Sequence, residues 1–246
     1  MTRQNRVSTG LRRTAGEIKR YRLWMKMIPI GIIAALMILI IGYVVAVLYS
    51  RYGAFTVFVN KFDNLDYALS LSESQGFESA TSRLNAEISE KITNIDGQLD
   101  LPDPVALDNI NGPHNGTNYV AYTFYCKNAG KATVTYSYEL YIRNMTLGIE
   151  KAVRVRLYVD GEYVDYAHAR TDGGEGPEPG TTAFQTGKTI VKKSIEHFKP
   201  GDMTKFTIVI WLEGNDPECV NNIIGGEMKV DMAMEVTYDE TSGKAV

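Results

Sequence analysis

The chain has 246 residues, with 26 Lys and Arg against 29 Asp and Glu and a net charge of −3. That charge is unevenly spread: residues 1–27 hold eight basic side chains and one acidic, which leaves 18 basic and 28 acidic residues, net −10, for the rest. A remainder that acidic argues against nucleic acid and against anionic lipid as its partners. Its length is enough for one β-rich domain with a core of its own.

Residues 1–27 form a basic tail: Arg3, Arg6, Arg12, Arg13, Lys19, Arg20, Arg22 and Lys26 against Glu17. Residues 28–49 follow as an uncharged apolar run, IPIGIIAALMILIIGYVVAVLY. An α-helix rises about 1.5 Å per residue, so a bilayer core of about 30 Å takes about 20 apolar residues. The run from Ile28 to Leu48 meets that length and is expected to cross a membrane as a helix, since a lone span must satisfy its own backbone polar groups. Pro29 falls in the first turn of the span, where a missing N–H costs little. Trp24 and Tyr49 flank the run as candidate interfacial anchors. The basic flank is expected to stay in the cytoplasm, which places residues 50–246 outside. A cleaved signal peptide is the rival reading. The run exceeds the usual h-region and Val44-Val45-Ala46 is a poor cleavage site, so the expectation is a retained anchor.

Phe55, Val57 and Val59 alternate through Ala54–Asn60 and read as a strand. Leu69 and Leu71 suggest a short one. Leu84, Ile88, Ile92, Ile95 and Leu99 step by four and three and predict a helix, with Thr81 or Ser82 as its cap. Leu101–Asn118 is loop by its Pro, Gly, Asn and Asp content. From there the alternation is that of strands: Tyr119–Asn128, Thr133–Arg143, Val153–Val159, Glu162–Ala167, Lys205–Glu213 and Glu227–Tyr238. Turns punctuate them at Asn128–Lys131, at Asp160-Gly161, a two-residue hairpin signal, and at Lys199–Asp202. Lys188–Phe198 fits either strand or helix. Thr171–Thr182 is an exposed acidic loop too rich in Gly and Pro to pack. Asp216-Pro217 reads as a helix cap that Gly225-Gly226 closes. The fold class is mainly β: an N-terminal transmembrane helix, then an antiparallel β-sandwich of jelly-roll type with one or two short helices.

No arrangement of nucleophile and base stands out, and His114, His168 and His197 lack ligand spacing, so no catalytic residue is assigned. Two acidic loops are candidate sites for a hard cation such as Ca²⁺. One comprises Asp103, Asp108, Asn111 and Asn115, the other Glu213, Asn215, Asp216 and Glu218. Turn and helix capping on a solvated face is the plainer reading of both. Cys126 and Cys219 fall outside the membrane, where a disulfide is permitted; two unpaired thiols are the alternative. Tyr119, Tyr125, Tyr141 and Tyr158 are expected to face away from the aliphatic core and to offer an aromatic surface for proteins or glycans.

The run from Ile208 to Val236, IVIWLEGNDPECVNNIIGGEMKVDMAMEV, with NGPHNGTNYVAYTFYCKNAG upstream, resembles uncharacterised membrane-anchored surface proteins of Gram-positive Firmicutes. The order of a strand, a Lys-Asn-Ala-Gly turn, a Tyr-rich strand and a Lys-Pro-Gly-Asp turn is similar to the camelysin/TasA family of biofilm matrix proteins. That resemblance implies a jelly roll, release by a signal peptidase, and polymerisation by a donated N-terminal strand. The long basic tail and poor cleavage site depart from that pattern. Taken together, these features lead to an expected single-pass surface protein whose outer domain is a structural or binding module. A secreted matrix or fibre subunit, self-associating through the strand at Ala54–Asn60, is the alternative, and a surface hydrolase a lesser one.

Overall fold

A computed structural model describes residues 15–51, 55–60, 65–86, 92–171, 173–174 and 176–246. The chain divides into two compact units, Met1–Arg51 and Tyr52–Val246. In the first unit the helix α1 runs Ala15–Arg51, with Pro29 inside it. The stretch Met27–Val44 is apolar enough to cross a membrane, and no part of it is buried. Trp24 and Ile28 are exposed along it. Leu48 and Tyr49 continue the same helix. Arg3, Arg6, Arg12 and Arg13 lie outside the described residues.

The second unit is built from thirteen strands among the described residues. In chain order they are β1 (Phe55–Val59), β2 (Leu69–Ser72), β3 (Arg83–Ala86), β4 (Gly112–Pro113), β5 (Tyr119–Asn128), β6 (Val134–Met145), β7 (Val153–Val159), β8 (Glu162–Ala167), β9 (Thr182–Ala183), β10 (Thr189–Phe198), β11 (Met203–Leu212), β12 (Met228–Asp239) and β13 (Lys244–Ala245). The short helix α2 (Pro104–Asp108) lies between β3 and β4. One sheet has the order β10-β6-β12-β1-β3, with β13 beside the end of β12. The other has the order β2-β5-β11-β7-β8-β9, with β4 also on β5. The two form a sandwich.

The alternation seen in the sequence is what fills the space between the sheets. One inner face brings Phe55 and Val57 of β1, Tyr136 and Leu140 of β6, and Met232 and Met234 of β12. The other brings Phe124 of β5, Val155 of β7, and Phe206 and Ile208 of β11. The Phe124 and Phe206 rings stack with centroids 5.3 Å apart, and Tyr138 meets Phe206 edge-on at 5.2 Å, arrangements that suit aromatic quadrupoles. The pairing of β1 is unusual for this fold: it lies parallel to β12, with Phe55 opposite Val230, and antiparallel to β3. It is therefore an interior strand of its own sheet, with both edges occupied.

Turn chemistry behaves as read. Asp160 and Gly161 take φ of 51° and 91°, the left-handed pair of a tight hairpin between β7 and β8. The turns at Asn128–Lys131 and Lys199–Asp202 are fastened to each other. Buried Asn128 accepts from Gly130 N at 2.9 Å and donates through Nδ2 to the carbonyls of Ala132 (3.0 Å) and Phe198 (2.8 Å). Its backbone N–H reaches Asp202 O, and its carbonyl accepts from Gly201 N. Lys188–Phe198, ambiguous by pattern, is the edge strand β10, and its exposed Lys192, Lys193 and Glu196 discourage further pairing there.

Among the described residues of the helix expected over Leu84–Leu99, none is helical. Leu84 lies in β3, Ile95 bridges to Glu213, and Leu99 is exposed; Ile88 lies outside the described residues. The four-and-three spacing was weak support, because isoleucine is an indifferent helix former, and the free edge of β1 offered hydrogen bonds that a helix at this position could not use. The expected helix at Asp216-Pro217 is instead a turn followed by a single 3₁₀ turn at Asn221–Ile223.

Candidate functional site

The outer face of the second sheet carries the side chains on which a functional reading must rest. Tyr119, Ala121, Thr123 and Tyr125 of β5, Thr207, Val209 and Trp211 of β11, and Arg154, Arg156 and Tyr158 of β7 alternate with the core set and point away from it. They are not left open. The segment from Ile92 to Asn118 arches across them and builds a second apolar cluster of Ile95, Leu107, Ala121, Tyr158, Val209 and Trp211, with Leu101 and Tyr119 against it. The expected aromatic binding surface is thereby corrected: Tyr158 and Tyr125 are buried, and Tyr119 is half-buried. Tyr141, on the other sheet, is half-buried as well.

The polar residues of the arch explain how it is held down. Asp103 caps α2, accepting from Val105 N at 2.9 Å and Ala106 N at 3.3 Å. Asp108 pairs with Lys205 Nζ at 2.9 Å and accepts from Thr207 Oγ1 at 2.6 Å. Asn111 accepts from the Tyr125 hydroxyl at 2.8 Å, and Asn115 from Ala121 N at 3.0 Å. Glu213 accepts from Trp211 Nε1 at 2.9 Å and Gly97 N at 3.1 Å. Each of these groups is spent on a separate fastening. The first cation loop read from the sequence is thus a set of clasps, and Glu213 belongs with it.

Asp216 and Glu218 do come together, joined by Glu178 from the acidic Gly/Pro loop. One oxygen from each of the three lies within 4.8 Å of the others. A guanidinium pairs with two of the three. Buried Arg154 sits 2.5 Å from Asp216 Oδ2 and 3.6 Å from Glu178 Oε2. Asp216 also accepts from Glu218 N at 2.8 Å, and Glu218 from Thr171 N at 3.0 Å. Burial pushes the Asp216 carboxyl above the usual carboxylate range, and its hydrogen bond with the Glu218 side chain pushes the same way. Burial also raises Glu178, and the neighbouring Asp216 charge adds to it. Arg154 and Arg170 pull Glu178 the other way, but burial and the crowding of carboxylates favour retention of a proton over full ionisation. Chemically the group can latch the 171–182 loop to the 213–219 loop, and it supplies the oxygen donors a hard cation prefers. Neither Arg154 nor Glu178 carried a sequence signal beyond its type. They meet because β7 and two loops end at the same place.

A neighbouring pair on this face is more regular. Arg156 makes two bonds to Asp165 across the β7–β8 hairpin, at 2.6 and 2.9 Å, and its guanidinium lies 4.4 Å from the Tyr163 ring centroid. The bidentate fork and the ring together explain how an arginine is buried there.

Both cysteines are free, which corrects the disulfide reading. Cys126 is in the inter-sheet core opposite Thr204, near the start of β11, whereas Cys219 follows that strand's other end. Eight residues of strand separate Thr204 from Leu212, roughly 26 Å at about 3.3 Å each, far beyond the reach of a disulfide. Cys126 is fully buried, and burial pushes its thiol up, which disfavours the thiolate.

No family model and none of the curated proteins matches this chain. Two solved structures of a beta-glucosidase from Kluyveromyces marxianus are similar to parts of it. The complex with glucose has a TM-score of 0.26 and 12% identity, over 54% of this chain and 14% of that one. The Se-Met labelled form has 0.23 and 13%, over 46% and 12%. The chain thus spans a small part of that enzyme's length, and likeness at this level carries no argument about activity.

Proposed function

We propose that this is a single-pass membrane protein whose β-sandwich stands outside the cell as a structural or binding module. The observation that supports this best is the pairing of an apolar helix with no buried side chain in its central stretch and a separate unit that completes its own two cores. The orientation rests on the eight basic residues before the span. The partners in view are the lipid bilayer and surface proteins or glycans.

A fibre subunit released by cleavage is the second reading. The position of β1 bears on it: Phe55, Val57 and Val59 are buried between β12 and β3, so donating this strand to a neighbour means first removing it from its own sheet. Fractionation separates the two readings. Full-length chain in the membrane pellet, with residues beyond Tyr49 cleaved by protease added to intact cells, supports the anchored module. A shortened form in the medium that begins near Tyr49 refutes it in favour of release. Protease resistance of the outer unit until the cells are opened would refute the orientation.

A further inference from the structure

The loops at one end of the sandwich expose apolar side chains that the fold does not use. Ile224 is 73% exposed, Leu147 57% and Val220 50%, and Leu99 is 81% exposed in the Asp96–Asp100 turn. The register places them at a common end. Met145, the last residue of β6, is opposite Met228, the first of β12, so residues 146–152 and 213–227 turn around beside each other. They are bonded there, Thr146 N to Glu227 O and Glu227 N to Thr146 Oγ1. Ile95 bridges in parallel to Glu213, just past the end of β11, so the Asp96–Asp100 turn emerges at this end too. Leu147 is notable for its backbone. It has φ of 56° and is followed by Gly148 at 74°, a turn that normally takes Asn, Asp or Gly at the first of these places. A leucine thus stands where the backbone disfavours it and the side chain is exposed.

The same end is where β1 sets out. Phe55 is opposite Val230, near the start of β12, and the strands run parallel. Arg51, the last residue of α1, precedes Phe55 by four residue steps, which can stretch no further than about 14 Å. Connectivity alone therefore fixes which end of the sandwich is tethered at the bilayer when α1 crosses it. The opposite end, with the turns at Asn128–Lys131, Asp160-Gly161 and Lys199–Asp202, also shows apolar side chains among the described residues, Tyr163 at 45%, Val246 at 41%, Tyr238 at 40% and Met203 at 39%, each less exposed than the four tips.

We infer that Leu99, Leu147, Val220 and Ile224 dip into the headgroup region of the bilayer that α1 crosses and seat the sandwich on it by that end. The inference rests on the membrane-anchored reading above. Lipid suits the tips better than a protein partner does, because they belong to separate loops that all emerge at the tethered end. The carboxylates around them, among them Asp96 and Glu227, make zwitterionic lipid the better match. Weak insertion is sufficient, since a short tether converts it into an intramolecular event at millimolar effective concentration.

The test uses the full chain with Cys219→Ser, in which Cys126 stays buried, reconstituted in phosphatidylcholine nanodiscs. Leu147→Cys, Ile224→Cys, Met203→Cys and Leu36→Cys variants each carry a nitroxide, and accessibility to oxygen is compared with that to a water-soluble nickel complex. The oxygen-to-nickel ratio is expected to be several-fold higher at 147 and 224 than at 203, and highest at 36. Ratios at 147 and 224 equal to that at 203, with 36 still in lipid, would overturn the seating and leave the anchor intact. A water-like ratio at 36 would overturn the anchored reading and the seating with it.

Discussion

Replacing Asn128 tests whether one side chain locks two turns that are 70 residues apart. Its amide makes three hydrogen bonds, to Gly130 N, Ala132 O and Phe198 O, at 1% exposure. Asn128→Ala leaves two carbonyls and one N–H without their partner. A buried polar group left unpaired costs about 1–3 kcal/mol. Gly130 is half-exposed and water can replace that bond, so the two carbonyls set the expected loss at about 2–6 kcal/mol, a large share of the roughly 5–15 kcal/mol that holds a domain folded. Asn128→Asp is the sharper variant. It keeps the shape and the acceptor toward Gly130 but turns both donors into acceptors facing carbonyls. At neutral pH it is expected to lose at least as much as the alanine variant. Urea unfolding of the Tyr52–Val246 unit, followed by Trp211 fluorescence and by far-ultraviolet circular dichroism, gives both values. Asn128→Asp within about 1 kcal/mol of the parent would refute the argument, since no donor bond of consequence could then exist.

Leu107→Ala, under the arch at 1% exposure, is expected to cost about 2–4 kcal/mol and to shift Trp211 emission to the red while the strand signal is retained. Gly97→Ala should loosen the same contact, because its Cβ would stand 2.7 Å from Trp211 Cε2; acrylamide quenching of Trp211 reads this. Arg154→Ala leaves Glu178, Asp216 and Glu218 facing one another and is expected to cost about 3–5 kcal/mol at neutral pH. The loss should shrink as the pH is lowered, because Asp216 and Glu178 have raised folded values: the folded state holds protons the unfolded state has released, so stability falls as pH rises through the window above the ordinary carboxylate range. Asp239 has the opposite sign. Bonds from Ser242, Tyr67 and the Thr241 N–H hold its pKa down to about 2, so the stability it contributes is full above the ordinary aspartate value and lost as pH falls through about 2. Asp239→Asn should therefore be less stable than the parent at neutral pH and show a flatter acid limb in a denaturation series.

Much of this protein is decided by local pattern. The uncharged run from Ile28 to Leu48 is helical and long and apolar enough to span a membrane, which its length and composition already indicate. Period-two alternation set which residues of β5, β6, β7, β11 and β12 face the core, since a one-residue slip would bury the polar set. Asp160-Gly161 chose its hairpin through the left-handed conformation that this pair tolerates. What pattern could not supply was the partner of each second face. Tyr119, Tyr125 and Tyr158 read as an open surface because nothing local says that Ile92–Asn118 folds back over them. The candidate cation ligands Asp108 and Asn111 read as a site because their clasping partners, Lys205, Thr207 and Tyr125, are distant in sequence, whereas Asp103 caps α2 through its own neighbours. Arg154 and Glu178 stood out in neither loop nor strand until the topology put them beside Asp216. Periodicity reports which side of an element is apolar; it is silent on what comes to cover it. The parallel seat of β1 against β12 likewise depended on the whole sandwich closing, and with it which end of the domain the chain ties to the N-terminal helix.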